Sequence, residues 1–120
     1  RIFDVVSVES TFAAENPELV ARFLKVTDDM NRRFAEERDA MLPVIGEAAG
    51  MDMEATVSMI DGFGFPLAED QLGEEWLGGG LQSFIKNVAD FFVEQGTIDS
   101  ALDSYEGVIN ASYMRMASEM

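Results

Sequence analysis

The side chains that most often carry chemistry in proteins are missing from this sequence. It contains no His and no Cys, which removes the commonest general base, the commonest zinc ligand, disulfides and thiolate metal sites. Catalysis would have to rest on carboxylates, Lys or hydroxyls. Acid–base catalysis by carboxylates needs two of them close together in unlike surroundings, and the acids other than Asp4 lie on polar faces or at helix starts. We therefore expect a chain that is not an enzyme and holds neither metal nor cofactor.

One carboxylate, Asp4, stands out by its apolar neighbours. Residues 2–8 are β-branched or aromatic on both faces, which is typical of a strand buried on both sides. Burying a carboxylate there is costly unless a cation or several donors meet it. A cation at about 4 Å would contribute about 4 kcal/mol at an effective dielectric near 20, before desolvation is subtracted. The sequence thus predicts a ligand-binding Asp4. The alternative is a strand-end Asp that reaches solvent or a backbone amide.

Three aromatic side chains are the other candidates for a binding site. Phe63 and Phe65 flank Gly64, and Trp76 stands just before the glycine run 78–80. Aromatics beside flexible glycines can line a ligand cleft. The alternative is that they close the edge of a core.

Helices account for most of the remaining pattern. Asn16 and Pro17 open a long helix whose apolar stripe consists of Leu19, Phe23, Val26, Met30 and Phe34. Its charged residues fall off this stripe, which favours a solvated face over a basic patch. Further predicted helices run from about Asp39 to Ala49 with Pro43 in the first turn, from the Asp52 cap to Gly62, from Leu81 to Gly96, and from the Asp99 cap through Leu102 to Tyr105. A short acidic helical turn precedes Trp76, and residues 110–120 are expected to be weakly helical and frayed.

The count of one strand and about five helices indicates an incomplete α/β unit. A strand that is apolar on both faces requires neighbouring strands and helices above and below it, and residues 9–120 supply no second strand. We therefore expect further polypeptide to provide the missing sheet.

The charge of the chain limits its partners. With 23 acidic and 8 basic residues the formal net charge is −15, so the surface repels phosphate backbones and anionic headgroups. This argues against nucleic-acid and membrane-surface binding. No apolar run approaches the roughly 20 residues that span a bilayer.

The order of several short segments resembles a known family. These segments are Phe12-Ala13, Asn16-Pro17-Glu18-Leu19-Val20, Phe23-Leu24, Ala48-Ala49-Gly50-Met51, Gly62-Phe63-Gly64-Phe65-Pro66, Gln71-Leu72, Ala89-Asp90-Phe91-Phe92-Val93-Glu94-Gln95-Gly96 and Ala101-Leu102-Asp103-Ser104-Tyr105. Together they resemble the C-terminal third of periplasmic taurine-binding proteins of ABC importers, in the sulfonate/nitrate/thiamine-precursor binding superfamily. The resemblance covers nearly all of residues 1–120.

This resemblance implies a type II periplasmic binding protein of two α/β lobes, with the ligand held between them. Residues 2–8 would be the returning hinge strand, and the helices after it would pack on the N-terminal lobe. Asp4 would hold the ammonium of taurine, and Phe63, Phe65 and Trp76 would wall the cleft. The implied partners are taurine or another small sulfonate and an ABC permease, in the periplasm. On this interpretation the 120 residues alone bind taurine weakly and self-associate through uncovered apolar faces.

Two alternatives belong to other classes. The same superfamily includes a pyrimidine-forming enzyme of thiamine synthesis, whose chemistry relies on histidine and an iron site, and this chain has no His. An acidic helical protein–protein interaction domain is the second alternative. An interaction domain built of helices would not need the apolar strand around Asp4.

Overall fold

The computed structural model describes residues 2–120; Arg1, the first residue of the predicted domain, lies outside the described part. Seven α-helices follow one another along these residues. They are α1 (Ser10–Glu15), α2 (Pro17–Glu36), α3 (Arg38–Ala49), α4 (Met53–Ile60), α5 (Ala68–Gln71), α6 (Gly80–Glu94) and α7 (Ser112–Ser118).

The predicted α/β fold is wrong, because every regular element within residues 2–120 is a helix. The predicted hinge strand at 2–8 is irregular backbone that joins no sheet. β-branched residues favour extended backbone, but a strand also needs a neighbour for its N–H and C=O groups. Residues 10–120 form helices and loops, and so provide no sheet edge for residues 2–8.

Local signals set the boundaries of the middle helices as predicted. Pro17 occupies the first turn of α2, where its missing N–H costs no hydrogen bond. Gly50 ends α3 in the left-handed conformation (φ 68°), which glycine adopts without strain. The Asp52 carboxylate accepts a 2.8 Å hydrogen bond from the Ala55 N–H and caps α4. These boundaries confirm the three corresponding helix predictions.

Four details differ from the sequence-based expectation. Pro43 lies inside α3, beyond its first turn. Helix α1 was not predicted; the Glu9 carboxylate caps it by accepting hydrogen bonds from the N–H groups of Thr11 and Phe12. The helix predicted from Asp99 to Tyr105 is irregular, and the tail expected to fray contains α7.

The core lies where α2, α5 and α7 meet. Ala21 of α2, Ala68 of α5 and Ala117 of α7 are at most 1% exposed, and Met114 of α7 is 5% exposed. The small side chains let the helix backbones approach closely, and Met114 fills the remaining space. Four partly buried residues surround this cluster: Leu24, Leu72, Leu77 and Met116.

Helices α3 and α4 pack against each other as a hairpin. Thr56 of α4 is completely buried, and its hydroxyl donates a 2.7 Å hydrogen bond to the Asp52 carbonyl. A Cβ placed on Gly46 of α3 would lie 2.6 Å from the Thr56 Oγ1. The two helices are therefore in contact at a position that only glycine fits.

The described chain exposes more surface than a compact protein of its mass. Its accessible surface is 8433 Å², whereas mass scaling gives about 6,400 Å² for a folded monomer. The radius of gyration is 16.8 Å, against about 14 Å for a compact chain of this length. Much of the additional surface is apolar, since large hydrophobic residues on α2, α6 and the loops are exposed. Such surface is characteristic of polypeptide that packs against something else.

Candidate functional site

Asp4 lies in an exposed segment whose other side chains are mostly apolar. The residue itself is exposed, and its neighbours Val5 and Val6 are 60% and 58% exposed. The burial that the sequence predicted around this carboxylate is therefore not provided by residues 2–120. Within the described chain Asp4 matches the alternative of a solvent-reaching carboxylate.

Phe3 links the Asp4 segment to Trp76. The Phe3 ring meets Trp76 edge-to-face, with centroids 5.1 Å apart and planes at 85°. It also meets Phe84 of α6 at 4.9 Å and 73°. Edge-to-face pairs of this kind contribute about 0.5–1.5 kcal/mol each beyond the area that they bury. Through the Phe3 ring, the segment that carries Asp4 is linked to Trp76 and to α6.

The glycine run 78–80 shapes the turn that carries Trp76. Gly79 has a φ of 144° and a Cβ on Gly80 would lie 2.2 Å from the Glu75 carbonyl oxygen, so neither position suits a larger residue. The Leu81 N–H donates to the Trp76 carbonyl at 2.9 Å and joins the turn to the start of α6. The glycines therefore position Trp76 through backbone geometry.

Phe63 and Phe65 form a second aromatic cluster. Their rings stack at 6.2 Å with planes at 22°, and Phe65 meets Phe34 of α2 edge-to-face at 5.3 Å. They are 51% and 40% exposed. The four predicted site residues thus divide into two groups: Asp4 with Trp76 through Phe3, and Phe63 with Phe65 against α2.

A polar network around the buried Asp28, which sequence reasoning missed, joins α2 to α5. Asp28 is 4% exposed; its Oδ1 accepts a 2.8 Å hydrogen bond from the Ala68 N–H, and its Oδ2 accepts one of 3.2 Å from the Arg32 Nε. The Arg32 guanidinium also donates to both carboxylate oxygens of Glu69. These hydrogen bonds lower the pKa of Glu69 and raise that of Arg32.

This network has a structural role, because it joins the start of α5 to the middle of α2. Asp28 satisfies an orphan N–H at the start of α5, and Arg32 neutralises its charge. All of its carboxylate and guanidinium groups are paired with one another or with backbone. The sequence signal was the Asp28–Arg32 spacing of four, which is typical of an ordinary ion pair on a helix surface.

Two surface depressions lie away from all four predicted site residues. One is lined by residues 15–19 and Arg22, the other by Arg33 and residues 35–40. Both are open to solvent, and charged side chains make up much of their walls. Neither encloses space in which a small ligand would be desolvated.

Among the described residues no group of three or more acids is arranged to hold a metal ion. Nor is any helix in residues 2–120 both long and apolar enough to cross a bilayer. Comparison of the chain with protein-family models, curated proteins and solved structures gives no match.

Proposed function

We propose that the chain is part of the substrate-binding component of an ABC importer. This component captures taurine or a related small sulfonate in the periplasm and delivers it to the permease. The ordered series of segments from Phe12-Ala13 to Ala101-Leu102-Asp103-Ser104-Tyr105, which resembles taurine-binding proteins, supports the proposal.

The observation that carries this proposal is the exposed apolar run around Asp4. Val5 and Val6 stand more than half exposed beside the carboxylate, and Phe3 fixes the segment against Trp76. Apolar cover placed over this run by further polypeptide would desolvate Asp4. A desolvated carboxylate strongly favours a cationic partner, and the ammonium of taurine is such a partner.

This role of Asp4 gives the site its selectivity. A plain alkylsulfonate carries the same anionic group as taurine but no ammonium, so it leaves the desolvated carboxylate unpaired. The site then disfavours alkylsulfonates because they leave this charge unpaired, and it favours taurine because the ammonium pairs with Asp4. Phe63, Phe65 and Trp76 are proposed as apolar walls.

The proposal is tested by measuring ligand-dependent thermal stabilisation of the whole protein that the cell produces. A specific ligand at one hundred times its Kd stabilises the folded state by about 2.7 kcal/mol. We expect taurine to raise Tm more than alkylsulfonates, nitrate or small amino acids do. The 120 residues alone should bind taurine weakly or not at all, because they leave Asp4 uncovered; micromolar affinity in calorimetry would contradict this arrangement.

Substitution of Asp4 separates its role from general effects. Asp4→Ala should weaken taurine binding at least tenfold while changing alkylsulfonate binding little. Asp99→Ala, which removes another exposed carboxylate, is the matched control and should leave both affinities unchanged. Equal losses for taurine and alkylsulfonate in Asp4→Ala would remove Asp4 from ammonium binding.

A second candidate function is an acidic helical protein–protein interaction domain. The all-helical fold of residues 2–120 and their exposed apolar surface favour it. Such a domain would show the same Tm with and without each of the small molecules above. The thermal-stabilisation series therefore distinguishes the two functions.

A further inference from the structure

Helix α2 presents an apolar stripe to solvent. Phe34, at the end of the predicted stripe, packs against Phe65, and the remaining four residues, which form the exposed stripe, are between 44% and 62% exposed: Leu19, Phe23, Val26 and Met30. Their spacings of four, three and four place them in one row, which extends about 16 Å along the helix at 1.5 Å per residue. Exposed apolar residues in a continuous row mark an interaction surface.

The stripe is separate from the face that α2 uses in the core. Ala21 and Asp28, which pack toward α5 and α7, are 0% and 4% exposed. At 100° per residue they lie nearly opposite the centre of the stripe. Helix α2 is therefore fully anchored by one face while the other remains uncovered.

We propose that this stripe binds a second copy of the chain, with the two α2 helices packed antiparallel about a two-fold axis. In this arrangement Leu19 lies opposite the partner subunit's Met30, and Phe23 lies opposite the partner subunit's Val26. The same two layers recur on the other side of the axis, since an isologous interface pairs each patch with itself. Alternating spacings of four and three are those of helix pairs that pack side chains between one another.

Charges beside the stripe fit the antiparallel alignment. Arg22 and Asp29 lie seven residues apart on the same edge of the stripe. Antiparallel packing brings Arg22 next to Asp29 of the partner subunit, and the two-fold axis repeats the pair. Arg22 makes no ion pair within residues 2–120, and Asp29 is 54% exposed in its pair with Lys25. Both groups therefore remain accessible to a second copy.

The charge distribution explains why like chains meet at α2. Residues 17–36 contain four basic and four acidic side chains, so this helix is neutral although the whole chain carries −15. The rest of the chain has the remaining 19 acids against 4 basic residues. Repulsion between two copies is therefore smallest where the α2 stripes face each other.

The surface left exposed is large enough to include an interface between two copies. The chain exposes about 2,000 Å² more than a compact monomer of its mass, and a standard interface buries about 800 Å² on each partner. The excess is spread over α2, α6 and the loops, and the α2 stripe would form the apolar centre of the interface.

Sedimentation equilibrium of the chain over a range of concentrations tests the proposal. We expect the wild type to be dimeric at high concentration, and Phe23→Glu to be monomeric at every concentration. Phe91→Glu, which places the same charge on a 55% exposed aromatic of α6, is the control and should remain dimeric. A monomeric wild type, or equal loss in the two variants, would overturn the proposal. Far-UV circular dichroism verifies that each variant is folded.

A charge exchange tests the antiparallel register. Arg22→Asp alone and Asp29→Arg alone should each weaken the dimer, by about tenfold in Kd, because each places like charges opposite one another. The double variant restores opposite charges and should recover most of the loss. A double variant as weak as the sum of the single variants would rule out this register. The stripe does not include Asp4, so the oligomeric state and taurine binding are read out independently.

Discussion

Replacing Asp28 tests whether its buried carboxylate fastens α5 to α2. In Asp28→Ala, the Ala68 N–H loses an acceptor at 2.8 Å and Arg32 loses one at 3.2 Å. A hydrogen bond to a charged group contributes about 1.5–3 kcal/mol, and a buried donor without a partner costs about 1–3 kcal/mol. These two figures describe largely the same loss at Ala68, so we expect the free energy of unfolding to decrease by about 3 kcal/mol.

The isosteric change should cost less. Asp28→Asn keeps a side-chain oxygen for the Ala68 N–H but removes the charge that faces Arg32, so we expect a loss of about 1 kcal/mol. In a chain of this size 1 kcal/mol corresponds to about 4 °C in Tm. The expected decreases are therefore about 12 °C for Ala and about 4 °C for Asn.

Urea and thermal unfolding followed by far-UV circular dichroism measure both variants. The matched control is Asp90→Ala in α6, where a 49% exposed carboxylate pairs with Lys86 four residues earlier. An exposed pair of this type contributes less than about 1 kcal/mol. If Asp28→Ala and Asp90→Ala lower stability equally, the carboxylate of Asp28 does not fasten α5 as the structure indicates.

Three further predictions concern other parts of the chain. Gly46→Ala should destabilise the α3–α4 hairpin by about 1–3 kcal/mol, since the new methyl group would lie 2.6 Å from the buried Thr56 hydroxyl; chemical denaturation measures the loss. Phe3→Ala should move the fluorescence of Trp76, the single tryptophan, to longer wavelength because an edge-to-face contact is removed. Hydrogen bonds from the N–H groups of Phe12 and Thr11 lower the pKa of Glu9 below its ordinary value of 4.5. A lowered pKa in the folded state stabilises α1 above pH 4.5, and this contribution is lost as the pH falls through the folded pKa; carboxyl NMR titration measures it.

Each of these predictions has a control within the same chain. Gly64→Ala adds the same methyl group where no atom lies within 4 Å, so its stability should change little. Ile2→Ala, at a residue 92% exposed, should leave the tryptophan emission unchanged. Glu9→Gln should remove the acid-dependent loss of α1. An ordinary Glu9 pKa, or an emission shift in Ile2→Ala, would contradict the contacts described for these residues.

Local sequence signals predicted the helices whose ends they define. Pro17, Gly50 and Asp52 each act within one turn of backbone, and the structure contains α2, α3 and α4 at these places. Residues 2–8 carried an equally clear strand signal but joined no sheet. A helix satisfies its hydrogen bonds internally, whereas a strand depends on a neighbour that can lie far away in sequence.

Distant contacts also explain why the helix at residues 112–118 was expected to be weak. Residues 112–118 have a weak helical pattern on their own, yet Met114 and Ala117 are buried against α2. Such packing stabilises a short helix more than propensity does. The helix expected from Asp99 to Tyr105 has a suitable cap and apolar residues but remains irregular.

The candidate site was predictable only in its residue types. Asp4 was singled out by its apolar neighbours, but whether it is buried depends on polypeptide that packs over it, and in residues 2–120 it is exposed. The link from Asp4 to Trp76 runs through Phe3, which sequence spacing cannot reveal. The Asp28–Ala68 hydrogen bond joins residues 40 positions apart, and no local sequence pattern predicts it.

Because α2 packs against α7, the core can form only after the end of this chain has been synthesised. The core face of α2 emerges from the ribosome early, but its main partner consists of residues 112–118, which are made about 80 residues later. Until then α2 has both its small-residue face and its outer stripe in water. Chaperones that bind apolar helices would therefore encounter α2 on the nascent chain, and loss of α7 by premature termination would leave a product without a closed core.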